Sequence, residues 1–553
     1  MISNERNDSL LQAQFRAAQA SIARREALHA EQPISQVLTA LMRHGGVYSL
    51  TDPEVMTARM APILRSVHGD PETGLTAAQR AAFVSTVSTT AASYFQHLVN
   101  SSNGKDLSYA IPSSLMSHIA FPGKGVYADP TGGPESPNLP AAFTFVGQFV
   151  DHDLTMNAVN LFEVQTGGDV PDNASPLIDL DSVYGPRAML DTVTPKQLFR
   201  PDGRFRLKDH GSYHDLERDA MGNAYISDKR NDENQMILQV HLLVMRTHNT
   251  LIEKGLSLME AYKETLYNWQ SVLLTDYLPQ VLDQEVYTDQ RVQIQQLDFG
   301  NFRYKPYLDL ARKASGPQED GRYIARMPHE FAIGFRFGHS QLRSKYQLQP
   351  GGQVFDLFDN ALTSAGGPSV NKFADLRGSQ VLPPEKVIDW PFFAGGAFKS
   401  NAIDSKVTPV VADLPESAIP DDIKYIGNLV HRNLIRSRQV GLCAGEDLAA
   451  FYGYGRDHLP ISVIEPVPAA RHLYHQGDDF RTPLWYYVLK EAEHAGTATS
   501  SRLGKVGSHL VGEVILGAIK WARESVLNEP GWTSMITKSR DVTLLDLAKF
   551  AAP

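Results

Sequence analysis

Residues 147–155 read Gly147-Gln148-Phe149-Val150-Asp151-His152-Asp153-Leu154-Thr155, and how this stretch folds decides what the chain can do. If the apolar lead-in from Phe143 to Val150 is helical, Gln148 and His152 share a face at i and i+4, with Asp151 beside them at i+3. A base, an amide and an acid then face one pocket. The bland alternative is a helix end whose charges are solvated or paired with one another. The segments that follow bear on that choice.

Length and composition set wide bounds. A chain of 553 residues accommodates two to four ordinary domains or one large, mostly helical unit. With 42% hydrophobic and 21% charged residues it has the make-up of a soluble globular protein, not of a disordered one. A net charge of −10, with no run of Lys and Arg, argues against nucleic acid as a main partner, because phosphate binding needs a basic face. Cys443 stands alone, so no intrachain disulfide can form and packing, metal or cofactor must hold the fold. The first residues, Met1 to Asp8, lack the apolar core of a secretory signal, and no stretch approaches the roughly eighteen apolar residues of a membrane span. The nearest, Leu510 to Ile519, is short and carries Glu513. The expectation is no membrane span, and either cytoplasmic residence or export without a cleaved N-terminal signal.

Residues 8–31 are rich in Ala, Gln, Arg and Glu, which predicts a solvent-exposed helical arm over 1–33 ahead of one domain over 34–553. Helical periodicity recurs in Ile34–Met42, Ala77–Val99, Phe143–Leu154, Asn234–Lys254, Leu256–Leu282, Pro328–Leu342, Ile423–Ile435 and Leu503–Val526. Long β-type alternation is scarce, and there is no internal repeat. The loops Pro122–Pro140 and Gly167–Pro176 are too short and scattered to be domain linkers. The fold class is therefore mainly α: a single large helical domain with long loops and little β, the loops carrying function.

Four more segments carry chemistry. In Ser175-Pro-Leu-Ile-Asp-Leu-Asp-Ser-Val-Tyr-Gly185, Asp179 and Asp181 alternate near a hydroxyl at Ser175. Hard oxygens this close suit Ca²⁺, which takes roughly six to eight of them, although a turn with solvated acids has the same pattern. Asp153, directly after His152, could join the ion and so pin the helix that presents the histidine. In Asp228-Lys-Arg-Asn-Asp-Glu-Asn-Gln-Met-Ile237, Arg230 and Glu233 are i, i+3 neighbours that could form a local salt bridge. Further on, His241 and His248 share a helix face and read as core histidines in preference to metal ligands.

In Pro328-His-Glu-Phe-Ala-Ile-Gly-Phe-Arg-Phe-Gly-His339, the residues Phe331, Phe335 and His339 recur every four positions. A histidine ending an aromatic stripe is commonly a satisfied core group. It is also what an axial haem ligand needs, with Arg336 able to meet a propionate. In Asn433-Leu-Ile-Arg-Ser-Arg438, the Asn433 oxygen could accept the second N–H of a metal-bound imidazole.

Taken in order over residues 140 to 525, these segments resemble the animal-type haem peroxidases, the superfamily of myeloperoxidase, lactoperoxidase and peroxidasin that also includes the cyclooxygenases. The anchors are Gln-x-x-Asp-His-Asp at 148–153, Val-Tyr-Gly at 183–185, Arg-x-x-Glu and His-x-Leu-x-x-Arg-x-His-Asn within 230–249, Asp-Tyr-Leu-Pro at 276–279, Phe-Arg-Phe-Gly-His at 335–339 and Asn-x-x-Arg-Ser-Arg at 433–438. The resemblance implies that His152 is the distal histidine, Arg230 the distal arginine, Gln148 the distal amide near a halide site and His339 the proximal iron ligand held by Asn433. It implies haem b as cofactor, with Arg336 and Arg436 among its contacts and with Asp151 and Glu233 as the acids that can form esters to it. It also implies Ca²⁺ held by Asp153, Ser175, the Leu177 carbonyl, Asp179 and Asp181. Asp181 stands where mammalian members tend to have serine, and Asn234 stands where myeloperoxidase has the methionine of a third haem link. The single cysteine also departs from the disulfide-rich mammalian members, so the chain resembles a compact, bacterial-style relative.

The implied reaction follows from charge placement. A neutral His152, with an ordinary pKa of about 6.5, can take a proton from H₂O₂ and return it to the leaving oxygen. Arg230 stabilises charge as the O–O bond breaks. The implied donors are a halide or thiocyanate, or a small phenol-like molecule. Two alternatives remain: a fatty-acid dioxygenase, which uses a tyrosine three residues before the proximal histidine where this chain has Arg336, and a haem- or calcium-binding scaffold without turnover. The sequence does not define the oligomeric state.

Overall fold

The computed structural model describes residues 93–99, 101–102, 105–155, 171–172, 174–185, 198–295, 302, 326–359, 374–414, 427–496 and 502–552. Their main elements are β1 (Ser93–Gln96), α1 (Ser113–Ala120), β2 (Glu135–Pro140), α2 (Ala142–Leu154), β3 (Pro171–Asp172), α3 (Gln235–Glu253), α4 (Leu258–Val272) and α5 (Gln284–Gln295). They continue with β4 (Arg326–Pro328), α6 (His329–Gly334), β5 (Lys399–Asn401), α7 (Leu429–Gln439), α8 (Leu484–Gly496), α9 (Lys505–Lys520) and α10 (Leu544–Phe550). The strands are short: β1 lies between β3 and β4, and β2 pairs antiparallel with β5. The architecture is mainly helical with little β.

Local chemistry explains where the central helices begin. The Asn234 side chain accepts from the Met236 and Ile237 N–H groups and starts α3. Ser257 and Glu260 form a reciprocal capping box on α4, and each such cap contributes about 1 kcal/mol. The π turn Leu273–Tyr277 that follows α4 brings the Tyr277 hydroxyl against α2. A Cβ built at Gly147 would lie 2.6 Å from that oxygen, so a glycine is required for this approach.

α2 is the centre of the packing. Phe143, Val146, Phe149 and Val150 are buried, and Phe149 meets Trp269 of α4 edge-on at 5.0 Å. Across the molecule, Gly334 at the end of α6 lies against Leu510 of α9 and Leu484 of α8, and the Trp485 indole donates to the Arg336 carbonyl at 3.0 Å. The apolar stretch Leu510–Ile519 is thus the buried face of α9. No helix among the described residues is long and apolar enough to cross a membrane.

Several sequence expectations need correction. The end of Ala77–Val99 forms strand β1 instead of helix, because pairing with β3 and β4 outweighs a helical pattern. Pro122–Pro140 is not all loop and ends in β2. Pro328–Leu342 is not one helix: α6 tightens into a 3₁₀ turn over Phe335–Gln341, so His339 does not continue an α-helical stripe. Arg230 lies in a 3₁₀ turn, Lys229–Asp232, ahead of α3. The helix expected from Ile423 begins at Leu429 among the described residues, where Asn428 caps it. The arm over 1–33 and the helix Ile34–Met42 lie outside the described residues.

Candidate active site

The site is built on the C-terminal half of α2, the 3₁₀ turn before α3, the 3₁₀ turn after α6, and α7. His152 and Asp153 are buried near the end of α2. Burial, reinforced by the Arg230 charge, pushes the His152 imidazole down to about 3, so it is neutral at ordinary pH. Its Nδ1 lies 2.8 Å from the Asn231 Oδ1, and its Nε2 lies 4.0 Å from the Glu233 carboxylate.

Arg230 braces the end of α2. Its guanidinium donates to the carbonyls of His152 at 2.9 Å and Thr155 at 2.8 Å, and to the Asp228 carboxylate at 2.6 Å. Burial pushes the Asp228 carboxyl up, but the Arg230 charge outweighs it and holds the acid below its ordinary range. The expected Arg230–Glu233 pair is replaced by this Arg230–Asp228 pair, since the 3₁₀ turn folds the guanidinium back over residue 228. Gln148 donates to Glu233 and accepts from the Asn234 amide at 3.2 Å. Burial pushes the Glu233 carboxyl up to about 7, against the pull of Arg230. Burial likewise raises Asp151, against Arg336 and Arg230.

On the opposite wall, burial and the charges of Arg336 and Arg432 push His339 down to about 3. The Asn433 amide reaches its Nδ1 at 2.9 Å. The polarity is the reverse of the expected one: Arg336 donates to the Asn433 Oδ1 at 3.0 Å, which leaves the NH₂ group to face the imidazole. Arg436 is buried one helical turn further along α7.

The two groups of residues are neighbours, because α2 packs against the 3₁₀ turn Phe335–Gln341. Glu233 keeps 34% of its side chain accessible and Arg230 24%. Gln148, Asp151, Arg336 and His339 are also only partly covered. The Arg336 charge acts on Asp151, Arg230 and His152, and the Arg432 charge on both Glu233 and His339.

Beside these residues, Asp153, Asp179 and Asp181 bring carboxylate oxygens within 4.8 Å of one another. Burial and the neighbouring Asp179 push Asp153 up to about 8, and Asp181 rises well above its ordinary range for the same reasons. Ser175 adjoins the cluster by donating its N–H to Asp181 at 2.7 Å, and the Leu177 carbonyl accepts from the Asp179 N–H at 3.1 Å. His241 and His248 are core groups, as read: His248 lies between the Tyr184 hydroxyl and the Gly203 carbonyl. Sequence reading missed Asp228, Asn231 and Arg432, whose neighbours are set by turns and distant helices and leave no spacing signature.

No family model and no curated protein matches the chain. Among solved structures it is similar to peroxidase A from Dictyostelium discoideum, with a TM-score of 0.51 and 16% identity over 84% of this chain and 93% of that one. It is also similar to fatty acid alpha-dioxygenase from Oryza sativa, with a TM-score of 0.46 and 12% identity over 78% of this chain and 82% of that one. A variant of the latter with palmitic acid gives 0.48 and 14% over 75% of each chain. The fold is that of the Dictyostelium peroxidase A, a mainly helical architecture as the periodicity of the sequence predicts.

Proposed function

We propose that the chain is a haem peroxidase, an oxidoreductase that reduces H₂O₂ and oxidises a halide, thiocyanate or a small aromatic donor. One observation carries the reading: two imidazoles held neutral, His152 and His339, come from packed neighbours, α2 and the 3₁₀ turn after α6, and both feel the Arg336 charge. The groups fit a haem. His339 offers an imidazole for iron, Arg336 and Arg436 offer cations for propionates, and Asp151 and Glu233 offer carboxylates for ester links. For His339 to hold iron through one ring nitrogen, its other nitrogen would carry the proton and the Asn433 amide would turn its oxygen towards it, away from Arg336.

A haem bound here supplies the redox chemistry. The chain's own groups do the rest. His152 accepts the peroxide proton at Nε2 and returns it to the leaving oxygen. The Arg230 charge, held by Asp228 and felt at His152, would stabilise developing negative charge. Gln148 and Glu233 present polar atoms on the same side, where a small donor can bind. Asp153, Asp179, Asp181, Ser175 and the Leu177 carbonyl would hold Ca²⁺, offsetting three acids that otherwise repel. Arg336 occupies the position of the tyrosine that a fatty-acid dioxygenase needs for hydrogen abstraction.

Addition of haemin should give a Soret band, and H₂O₂ should then drive oxidation of a chromogenic phenol. A Soret band without donor oxidation would reduce the chain to a binding scaffold. Oxygen uptake with a fatty acid in place of donor oxidation would make it a dioxygenase.

A further inference from the structure

Arg336 stands behind Asn433, and Asn433 stands behind His339. The guanidinium donates to the Asn433 Oδ1 at 3.0 Å, and the Asn433 Nδ2 lies 2.9 Å from the His339 Nδ1. Asn433 is fully buried on α7, so water does not compete for its amide. The Arg336 backbone is fixed as well, because its carbonyl accepts from the Trp485 indole at 3.0 Å. Among the described residues the guanidinium forms no ion pair, and the Asp151 charge reaches it only through space.

The polarity of this relay is set from one end. A guanidinium can only donate, so the amide must give it the oxygen and turn the NH₂ group to His339. An NH₂ group facing Nδ1 needs a lone pair there, so the neutral imidazole carries its proton on Nε2. The reverse arrangement would set two donors against each other at Arg336. His339 is only partly covered, so an N–H on Nε2 can meet water. A ring that holds iron through one nitrogen needs a lone pair there and its proton on the other, the one that faces Asn433. The hydrogen bonds of the structure therefore hold His339 in the form that cannot ligate.

A group that satisfies Arg336 would free the amide. A carboxylate pairs with a guanidinium through two parallel N–H bonds and neutralises its charge, which weakens its hold on a neutral oxygen. The propionates of a porphyrin can do this, whereas esterified propionates carry no charge and cannot. We propose that Arg336 is a positioning residue that selects the cofactor: through Asn433 it keeps His339 from binding iron until a free carboxylate of the porphyrin takes the guanidinium. The ring stays neutral throughout, Nε2 giving a proton to water and Nδ1 taking one up.

The proposal rests on the reading of His339 as an iron ligand, whereas the tautomer of the haem-free chain does not. Long-range proton–nitrogen spectra of that chain with ¹⁵N-labelled histidine, the His339 signals identified from His339→Gln, should show the proton on Nε2. In Asn433→Asp, whose carboxylate accepts whatever Arg336 does, it should lie on Nδ1. Haemin and haemin dimethyl ester are then titrated into the native chain, Arg336→Gln and Asn433→Asp, with ligation read from the iron–histidine stretch of the reduced complexes in resonance Raman spectra. Glutamine can accept as well as donate, so it releases Asn433; Arg336→Leu replaces it if it does not fold. We expect the native chain to ligate haemin and to bind the dimethyl ester about tenfold more weakly, without the stretch. Each variant should tighten binding of the dimethyl ester by about tenfold and restore the stretch. Simple charge pairing by Arg336 would give no such gain. A native His339 protonated on Nδ1, or a dimethyl ester bound alike by all three chains, would overturn the proposal. A native chain that ligates haemin as expected but leaves H₂O₂ unreacted would overturn the peroxidase reading alone.

Discussion

The molecule holds two asparagine–histidine pairs of nearly equal length and opposite polarity. Asn231 turns its oxygen to His152 at 2.8 Å, whereas Asn433 turns its NH₂ to His339 at 2.9 Å. The difference lies in the third group. Behind Asn231 stands His241, an imidazole that can accept from or donate to the amide; behind Asn433 stands Arg336, which can only donate and claims the amide oxygen. A partner that can only donate fixes the amide and, through it, the imidazole nitrogen that carries the proton, whereas a partner that can do either leaves both open. One arrangement suits a base, and the other suits a ligand only once Arg336 releases the oxygen.

The widest split between the two sides should come from removing each histidine. His339→Ala should abolish the Soret band on haemin titration, while His152→Ala should keep it. Equal haem binding by both variants would remove the assignment of the two walls. Next in size, Asn433→Leu should weaken haem binding by about tenfold, and Asn433→Asp, which accepts from His339 Nδ1 regardless of Arg336, should keep it. Identical affinities for the two, measured by haemin titration, would contradict the role given to that amide.

The calcium cluster tests the distal wall from behind. Burial and mutual repulsion raise the Asp153 carboxyl to about 8 and raise Asp181 as well. Without a cation, stability tied to these protons is full below the ordinary carboxylate pKa and is lost as pH rises through the raised values. Chelator-treated protein should therefore lose Tm as pH rises from about 5 to 9, and added Ca²⁺ should restore most at the upper end. A Tm indifferent to Ca²⁺ across that range would remove the site. The smallest effect is expected at Gly147, where alanine would crowd the Tyr277 hydroxyl and cost about 1–3 kcal/mol in chemical denaturation. Tyr277→Phe should relieve it, and an equal cost in both backgrounds would contradict the contact.

Much of this site was legible because helical spacing fixes neighbours. Gln148 and His152, one turn apart on α2, both meet the Glu233 carboxylate, and the alternation of Asp179 and Asp181 with Asp153 nearby does bring three carboxylates together. What spacing cannot show is a turn that is not α-helical. The 3₁₀ turn at 229–232 sent Arg230 to Asp228 instead of Glu233, and the one at 335–341 took His339 off its aromatic stripe. Nor does the sequence reveal Asn231, a residue whose importance comes from lying between α2 and α3. The strand at Ser93–Gln96 was hidden for the same reason, since its partners come from residues 171–172 and 326–328.

The most direct measurement is stopped-flow absorbance of the haemin-loaded chain mixed with H₂O₂, native against His152→Ala. We expect a Soret shift in the native chain and the same shift slowed by about a hundredfold or more in the variant, with haem still bound. Equal rates, or a native chain that takes up no haem, would contradict the assignment of His152 as the base of a haem peroxidase.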